Sequence, residues 1–423
     1  MRHRKNKLFW ALNVAVLISF GFGIVMGAQQ VPEAPAGFDG QSNGSVPQNV
    51  MDGAAAIFSE VDTPETGLGP VYNAVSCLDC HQNTAVGGAS QVMEFRAGHY
   101  DGSRQSTSLG RRQRGDTNGS TGTFVAATAV MANGTPIPER SLINQRAICA
   151  GAQERLTDAD GIRAVRLSLS TLGDGFVEAV PDATLMAIAK SNHGEAIEVP
   201  VLEVPGSVTE VGRFGWKDQH ASLLSFSGDA YVNEIGVTNA LFPDEVTTTC
   251  QPSDVMEPND PAAATDDIHN FATFMRATKV PPRGPVTPAA LQGQAIFEQI
   301  GCSNCHVETM VTAPAGTAIH GGAFVIPDAL GGKQFHPFGD FLLHDIGTGD
   351  GIVQDGPADT ADKVRTMPLW GLRTRTQLMH DGLSATYDDA VARHQNEASD
   401  EAAKYRALTP AQKYLVHQFL GSL

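Results

Sequence analysis

Two five-residue strings limit this chain most: Cys77-Leu78-Asp79-Cys80-His81 and Cys302-Ser303-Asn304-Cys305-His306. In each, two thiols stand three residues apart and a histidine directly follows the second. That spacing lets both thiols add to the vinyl groups of one haem as thioethers, with the histidine within reach of the iron. A single Cys-x-x-Cys could serve a zinc knuckle or a thioredoxin-type dithiol. Two copies, each closed by histidine and both behind an export signal, point instead to two covalently bound haem c groups. Cys77, Cys80, Cys302 and Cys305 are the expected attachment points, and His81 and His306 the expected iron ligands.

The export signal is the first 28 residues. Arg2, Arg4, Lys5 and Lys7 precede an uncharged, mostly apolar run from Leu8 to Ala28, with Val25-Met26-Gly27 as a cleavage site. The run is also long enough to stay as a membrane anchor, so membrane attachment depends on whether it is cleaved. Either way the destination is the periplasm. The other two cysteines, Cys149 and Cys250, would then be a disulfide or two separate buried thiols. The chain carries 29 Lys+Arg against 46 Asp+Glu, a net −17; without the leader, 25 remain against 46, a net −21. Such a surface repels nucleic acid and suits cationic protein partners.

With 423 residues, 44 Gly and 24 Pro, the chain has room for two or three domains joined by many loops. Residues 29–50 read as a flexible leader. Residues 51–282 read as an N-terminal haem domain with insertions, ending at Val280-Pro281-Pro282-Arg283-Gly284-Pro285, and 283–423 as a C-terminal cytochrome c-like domain. A short helix over 51–60 carries Ile57-Phe58, echoed by Ile296-Phe297 before the second haem motif, which suggests internal duplication. Leu291, Ala295 and Ile296 give that second helix its expected apolar face, and Tyr414, Leu415, Phe419 and Leu420 line the helix started by Thr409-Pro410. Residues 267–277 read as an amphipathic helix, 182–189 as a helix, and 164–172 and 197–204 as short strands. A helical stretch is expected from Arg213 to about Ile235. The fold class expected is therefore mostly α: two cytochrome c-like domains, with small β elements inserted in the first.

Several segments together resemble the di-haem oxidoreductase family of peroxidases, relatives of the bacterial di-haem cytochrome c peroxidases: residues 67–81 (GLGPVYNAVSCLDCH), 212–217 (GRFGWK), 233–236 (NEIG), 338–347 (FGDFLLHDIG) and 365–386 (RTMPLWGLRTRTQLMHDGLSAT). The resemblance implies that His81 ligates a reactive iron and His306 an electron-transfer iron. Trp216 would relay electrons between them, and Glu234 would act as acid/base over the first haem; the plainer readings are a packing tryptophan and a solvated glutamate. Arg365 would meet a propionate of the second haem, or form a surface ion pair. His344 and Asp345 would orient a haem edge, bind calcium, or merely shape a loop. Many relatives carry a glutamine ten residues beyond the tryptophan; this chain has Phe226, which cannot hydrogen-bond a peroxide. The relatives' distal ligand for the second haem falls fourteen residues beyond the histidine of the LMHDG motif, here at His394, where Tyr387, Val391 and His394 share one helical face. Of the methionines this domain offers, Met310 stands only four residues past His306, too near to cross to the opposite face, and Met367 and Met379 compete for that role, Met379 foremost.

The implied activity is reduction of hydrogen peroxide with electrons from a small redox protein such as a cytochrome c or cupredoxin. The alternatives are oxidation of a partner protein by a high-valent haem, and a di-haem electron carrier without catalysis.

Overall fold

The structure, a computed structural model, describes residues 31–101, 123–126, 130–132, 134, 140–250 and 266–423. The export segment lies outside the described residues, as do residues 102–122.

Two helix pairings stand beside the two Cys-x-x-Cys-His motifs. The helix Gln48–Phe58 buries Met51, Ala54 and Phe58 against Asp267–Ala277, which buries Ile268, Phe271, Phe274 and Met275 in return. Phe58 packs 4.7 Å from Phe274 and 6.0 Å from Phe271, ring centre to ring centre. Asp266 starts the second of these helices by accepting from His269 N at 3.0 Å. In the other pair, Pro288–Gln299 crosses Pro410–Leu420. Thr287 and Thr409 are their N-caps, each followed by proline, and Thr409 completes a capping box with Gln412.

The face of Pro288–Gln299 that packs differs from the expected one. Leu291 is 54% exposed, and Ala290, Gly293 and Phe297 are buried instead. Gly293 decides this: a Cβ there would lie 1.9 Å from Leu415 O, so only glycine permits the crossing. Phe297 then meets Phe419 at 5.1 Å. Tyr414 likewise points outward, and Val416 joins Phe419 and Leu420 in the core.

The expectation of a mostly α fold is overturned. Among the described residues helix accounts for 32% and strand for 16%, in many small sheets. The largest is built on Met93–Asp101, which pairs antiparallel with Ile162–Leu167 along Met93–Gly98, and with Leu142–Ile143 and Thr123–Ala126. Nor is strand confined to the first half: Met310–Val311 pairs with Gln334–Phe335, Ala318–Ile319 with Phe324–Val325, and Leu343–His344 with Val364–Arg365. These two-residue ladders are too short to leave an alternating pattern, so they read as loop. The stretch expected as helix from Arg213 is also different. Phe214 bridges His220 across a turn at Gly215, and helix begins only at Leu223.

From Pro32 onward the chain forms one compact unit. Its Gly/Pro/Ser-rich start is tied down by Ala34 N to Gln334 O and Gly37 N to Val280 O, at 2.7 and 3.0 Å. Cys149 and Cys250 are joined as a disulfide, with Cα atoms 6.2 Å apart. Among the described residues, no helix is long and apolar enough to cross a membrane.

Candidate active site

The two Cys-x-x-Cys-His motifs are presented in parallel ways. Ser76 caps the short helix Cys77–Cys80 by accepting from Leu78 N at 3.2 Å, and Gly301, at φ 97°, turns the chain into Cys302–Asn304. In both motifs the histidine N–H returns to the first cysteine carbonyl at 3.0 Å. A helix phenylalanine sits beside each histidine: Phe58 is 6.1 Å from His81 and Phe297 is 6.1 Å from His306. Nδ1 of His81 lies 2.7 Å from Leu169 O, and Nδ1 of His306 lies 3.0 Å from Phe338 O. A carbonyl only accepts, so each Nδ1 carries the proton and each Nε2 keeps a lone pair for a metal. Burial lowers both histidines, His306 to about 4, which keeps them neutral and fit to ligate.

A cavity of about 950 Å³ opens over the second motif, lined by Cys302, Cys305, His306, Val391 and His394 among others. Tyr387 and Val391, from the helix Tyr387–Ala392, share this wall with His394, which follows just past the helix end. His394 donates Nδ1–H to Ala390 O at 2.7 Å, again leaving Nε2 free, and burial lowers its pKa. Met367 and Met379 line the same cavity. Met310 is not among its lining; it is buried in the strand pair with Phe335.

Trp216 lies at the second motif and is tied to the segment that orients the first. It lines the cavity of His306, and its Nε1 donates to Leu167 O at 2.8 Å, two residues before the carbonyl that orients His81. Arg365 lines the cavity too. It is buried rather than at the surface, donating its main-chain N–H to Trp216 O and Nη1 to Arg213 O, at 2.9 and 2.5 Å.

Glu234 belongs to the first motif. It lies in the π-turn Tyr231–Ile235, a wide turn that breaks helical register, and its carbonyl accepts from Asn73 N at 2.7 Å just ahead of Cys77. Burial and the nearby Glu94, opposed by Arg96, push its carboxyl up to about 8. The sheet supplies those neighbours: Glu94 and Arg96 share one face of Met93–Asp101, and Arg166 stands opposite Glu94 in register. Phe226 stacks on Phe214 at 6.2 Å and lies 5.8 Å from His220.

His344 is no loop ornament. It is buried between Asp340, 2.9 Å from Nε2, and Glu397, 2.8 Å from Nδ1, with Cys305 Sγ 3.9 Å away. Burial opposes its charge, yet the hydrogen bonds overcome this and hold it up to about 11. His344 thus engages a carboxylate oxygen of Asp340 and one of Glu397. Sequence reasoning passed over His380 itself, whose buried ring stands edge-on to Trp216 at 5.9 Å and which lines the cavity. Its signal was present in the LMHDG string, which served only as a ruler for His394.

These residues fit haem at both motifs: paired thiols, neutral histidines with a free Nε2, and, at the second, an enclosing cavity. Residues 144–423 match the family described as "Di-haem oxidoreductase, putative peroxidase". The chain belongs to the di-haem oxidoreductases. The family is one of haem enzymes of the peroxidase type that carry two haems. The matched range takes in the second motif, and the first lies ahead of it. A comparison with curated proteins gave no match. Among solved structures, this di-haem oxidoreductase is similar to Kuenenia stuttgartiensis hydrazine synthase, with 12% identity over 99% of this chain and 100% of that one and a TM-score of 0.38. It is also similar to the diheme peroxidase BthA from Burkholderia thailandensis, with 17% identity over 50% and 65% of the two chains and a TM-score of 0.30. A MauG-like protein associated with microbial copper homeostasis is a third, with 15% identity over 50% and 71% and a TM-score of 0.30.

Proposed function

We propose that this di-haem oxidoreductase is exported to the periplasm, binds two haem c covalently, and reduces hydrogen peroxide with electrons from a small redox protein such as a cytochrome c or cupredoxin. The observation that carries the reading is Trp216. Its indole lines the His306 cavity while donating to Leu167 O, two residues before the carbonyl of Leu169 that orients His81.

Haem, when bound, supplies an iron that takes up electrons and meets peroxide. The chain's own residues do the rest. His81 and His306 would each offer Nε2 to a haem iron, and His394 would offer a further imidazole at the second site. Arg365, buried in the cavity wall, offers its guanidinium to a propionate. Glu234, whose carboxyl burial pushes up to about 8, can in its carboxylate form take a proton from one peroxide oxygen and return it to the other. Two protons and two electrons per peroxide then give two waters. Residues 51–282 and 283–423 are the two haem-bearing domains in this reading, and residues 1–28 are the export segment, an anchor only if uncleaved.

Oxidation of a partner protein is a second reading. It is favoured by Phe226, whose ring packs on Phe214 and offers a peroxide no hydrogen bond.

Steady-state turnover of peroxide with a reduced cytochrome c, alongside the ferric spectrum, tests the proposal. One high-spin and one low-spin haem with turnover is the expected result. Two low-spin haems without turnover would leave an electron carrier. A high-spin haem that ignores cytochrome but oxidises aromatic residues of a partner would select the second reading.

A further inference from the structure

The segment around Trp216 is closed into a ring by one buried acid. Asp350, whose side chain is 2% exposed, receives Arg166 Nε on Oδ2 at 2.7 Å and has Lys217 Nζ 3.2 Å from Oδ1. Arg166 directly precedes Leu167, whose carbonyl takes the Trp216 indole N–H at 2.8 Å. Lys217 directly follows Trp216. Two adjacent-residue links, two ion pairs and one hydrogen bond thus run from Trp216 through Lys217, Asp350, Arg166 and Leu167 back to Trp216.

The ring is anchored on every side. Lys217 Nζ also donates to the carbonyls of Thr360, Ala361 and Lys363, at 3.1, 3.0 and 2.5 Å. Leu167 N donates to His380 O at 2.8 Å, and Leu169 O, two residues on, orients His81. Arg166 and Lys217 side chains are each 1% exposed. Two buried cations on one buried carboxylate add little net stability compared with a well-packed apolar core. What the arrangement does supply is a fixed position: the indole is held on the last residue of the strand Ile162–Leu167, two residues before the carbonyl that orients the first motif's histidine.

We infer that Asp350 is a positioning residue for electron transfer through Trp216, clamping the indole N–H on Leu167 O by way of Lys217 and Arg166. This rests on the reading of Trp216 as the relay. A relay works through contact geometry, so a displacement of the order of 1 Å is enough to slow it about tenfold or more.

The test uses the holoprotein with Asp350→Asn, Trp216→Phe and the double variant. Three quantities are measured: the inter-haem electron-transfer rate after rapid reduction of one haem, both midpoint potentials, and the ultraviolet resonance Raman band of the Trp216 indole N–H, assigned by its loss in Trp216→Phe. The clamp predicts that Asp350→Asn slows transfer about tenfold. It also predicts an indole band shifted toward a weaker hydrogen bond, unchanged potentials, and a double variant no slower than Trp216→Phe alone. A wild-type rate in Asp350→Asn, or additive slowing in the double variant, overturns the proposal. If Trp216→Phe leaves the rate unchanged, the relay reading fails by itself; the Raman band then decides the clamp, a shift upholding it and an unshifted band overturning it. Should Asp350→Asn not fold, Lys217→Met breaks one arm of the ring and is judged by the same band and rate.

Discussion

His306 and His394 line one cavity, and each is turned by its own backbone hydrogen bond, Nδ1 to Phe338 O at 3.0 Å and Nδ1 to Ala390 O at 2.7 Å. Both are thereby left with Nε2 as the available donor, so a haem held at Cys302 and Cys305 could take an imidazole from each. The second haem should be bis-histidine and low-spin, with a lower potential than methionine ligation would give and without the near-infrared methionine–iron charge-transfer band. His394→Gly should turn it high-spin. A variant that stays low-spin, with that band present in the wild type, would assign the position to Met367 or Met379.

Much of this second site was legible in the sequence, because covalent chemistry and ligation leave fixed spacings: Cys302, Cys305 and His306 are read directly, and the helical interval from Tyr387 to His394 puts them on one wall. The Phe58 and Phe297 echo likewise marks a real equivalence, each ring 6.1 Å from its motif's histidine. Illegible were features fixed by long-range pairing. Arg166 looks like the polar phase of a half-exposed strand, yet it is buried because Asp350, 184 residues away, meets it there. The two-residue ladders and the exposed Leu291 escaped for the same reason: packing partners, not periodicity, decide them.

Glu234→Gln should cut peroxide turnover by about 10²- to 10⁴-fold, the usual share of a general acid/base. Both haems should stay attached and the second haem's spectrum unchanged, since Glu234 adjoins only the first motif. Wild-type turnover in the variant would reduce Glu234 to a buried carboxyl without a catalytic part.

The Cys149–Cys250 bridge spans 101 residues of sequence. Closing a loop of that length contributes at most about 4–5 kcal/mol through the unfolded chain. Cys149→Ser/Cys250→Ser should therefore lower the denaturant midpoint markedly while both haems remain. Non-reducing peptide mapping that recovers two free thiols from the wild type would remove the basis for this.

His320 should make stability fall in mild alkali. Burial works against its charge, but hydrogen bonds to Glu178 and Glu210, at 3.1 and 2.8 Å, overcome this and raise it to about 9. An unfolded histidine titrates near about 6.5. The folded state holds the proton more tightly, so the contribution is fully present below that unfolded value and is lost as pH rises through about 9. Glu178 stays charged throughout, held by Arg276 at 2.6 and 2.8 Å. The stability advantage of wild type over His320→Gln, from denaturant unfolding at several pH values, should shrink by on the order of 3 kcal/mol across that window. A constant difference would show that His320 does not titrate there.

Two covalent haems held at Cys77/Cys80 and Cys302/Cys305 underlie everything proposed for this protein, and the intact mass of protein exported from a haem c-competent host tests that directly. The wild type should weigh one polypeptide plus two haems. Cys77→Ala/Cys80→Ala and Cys302→Ala/Cys305→Ala should each weigh one haem less, and each should lose a different component of the spectrum. A wild-type mass equal to the bare polypeptide would contradict the account at its root.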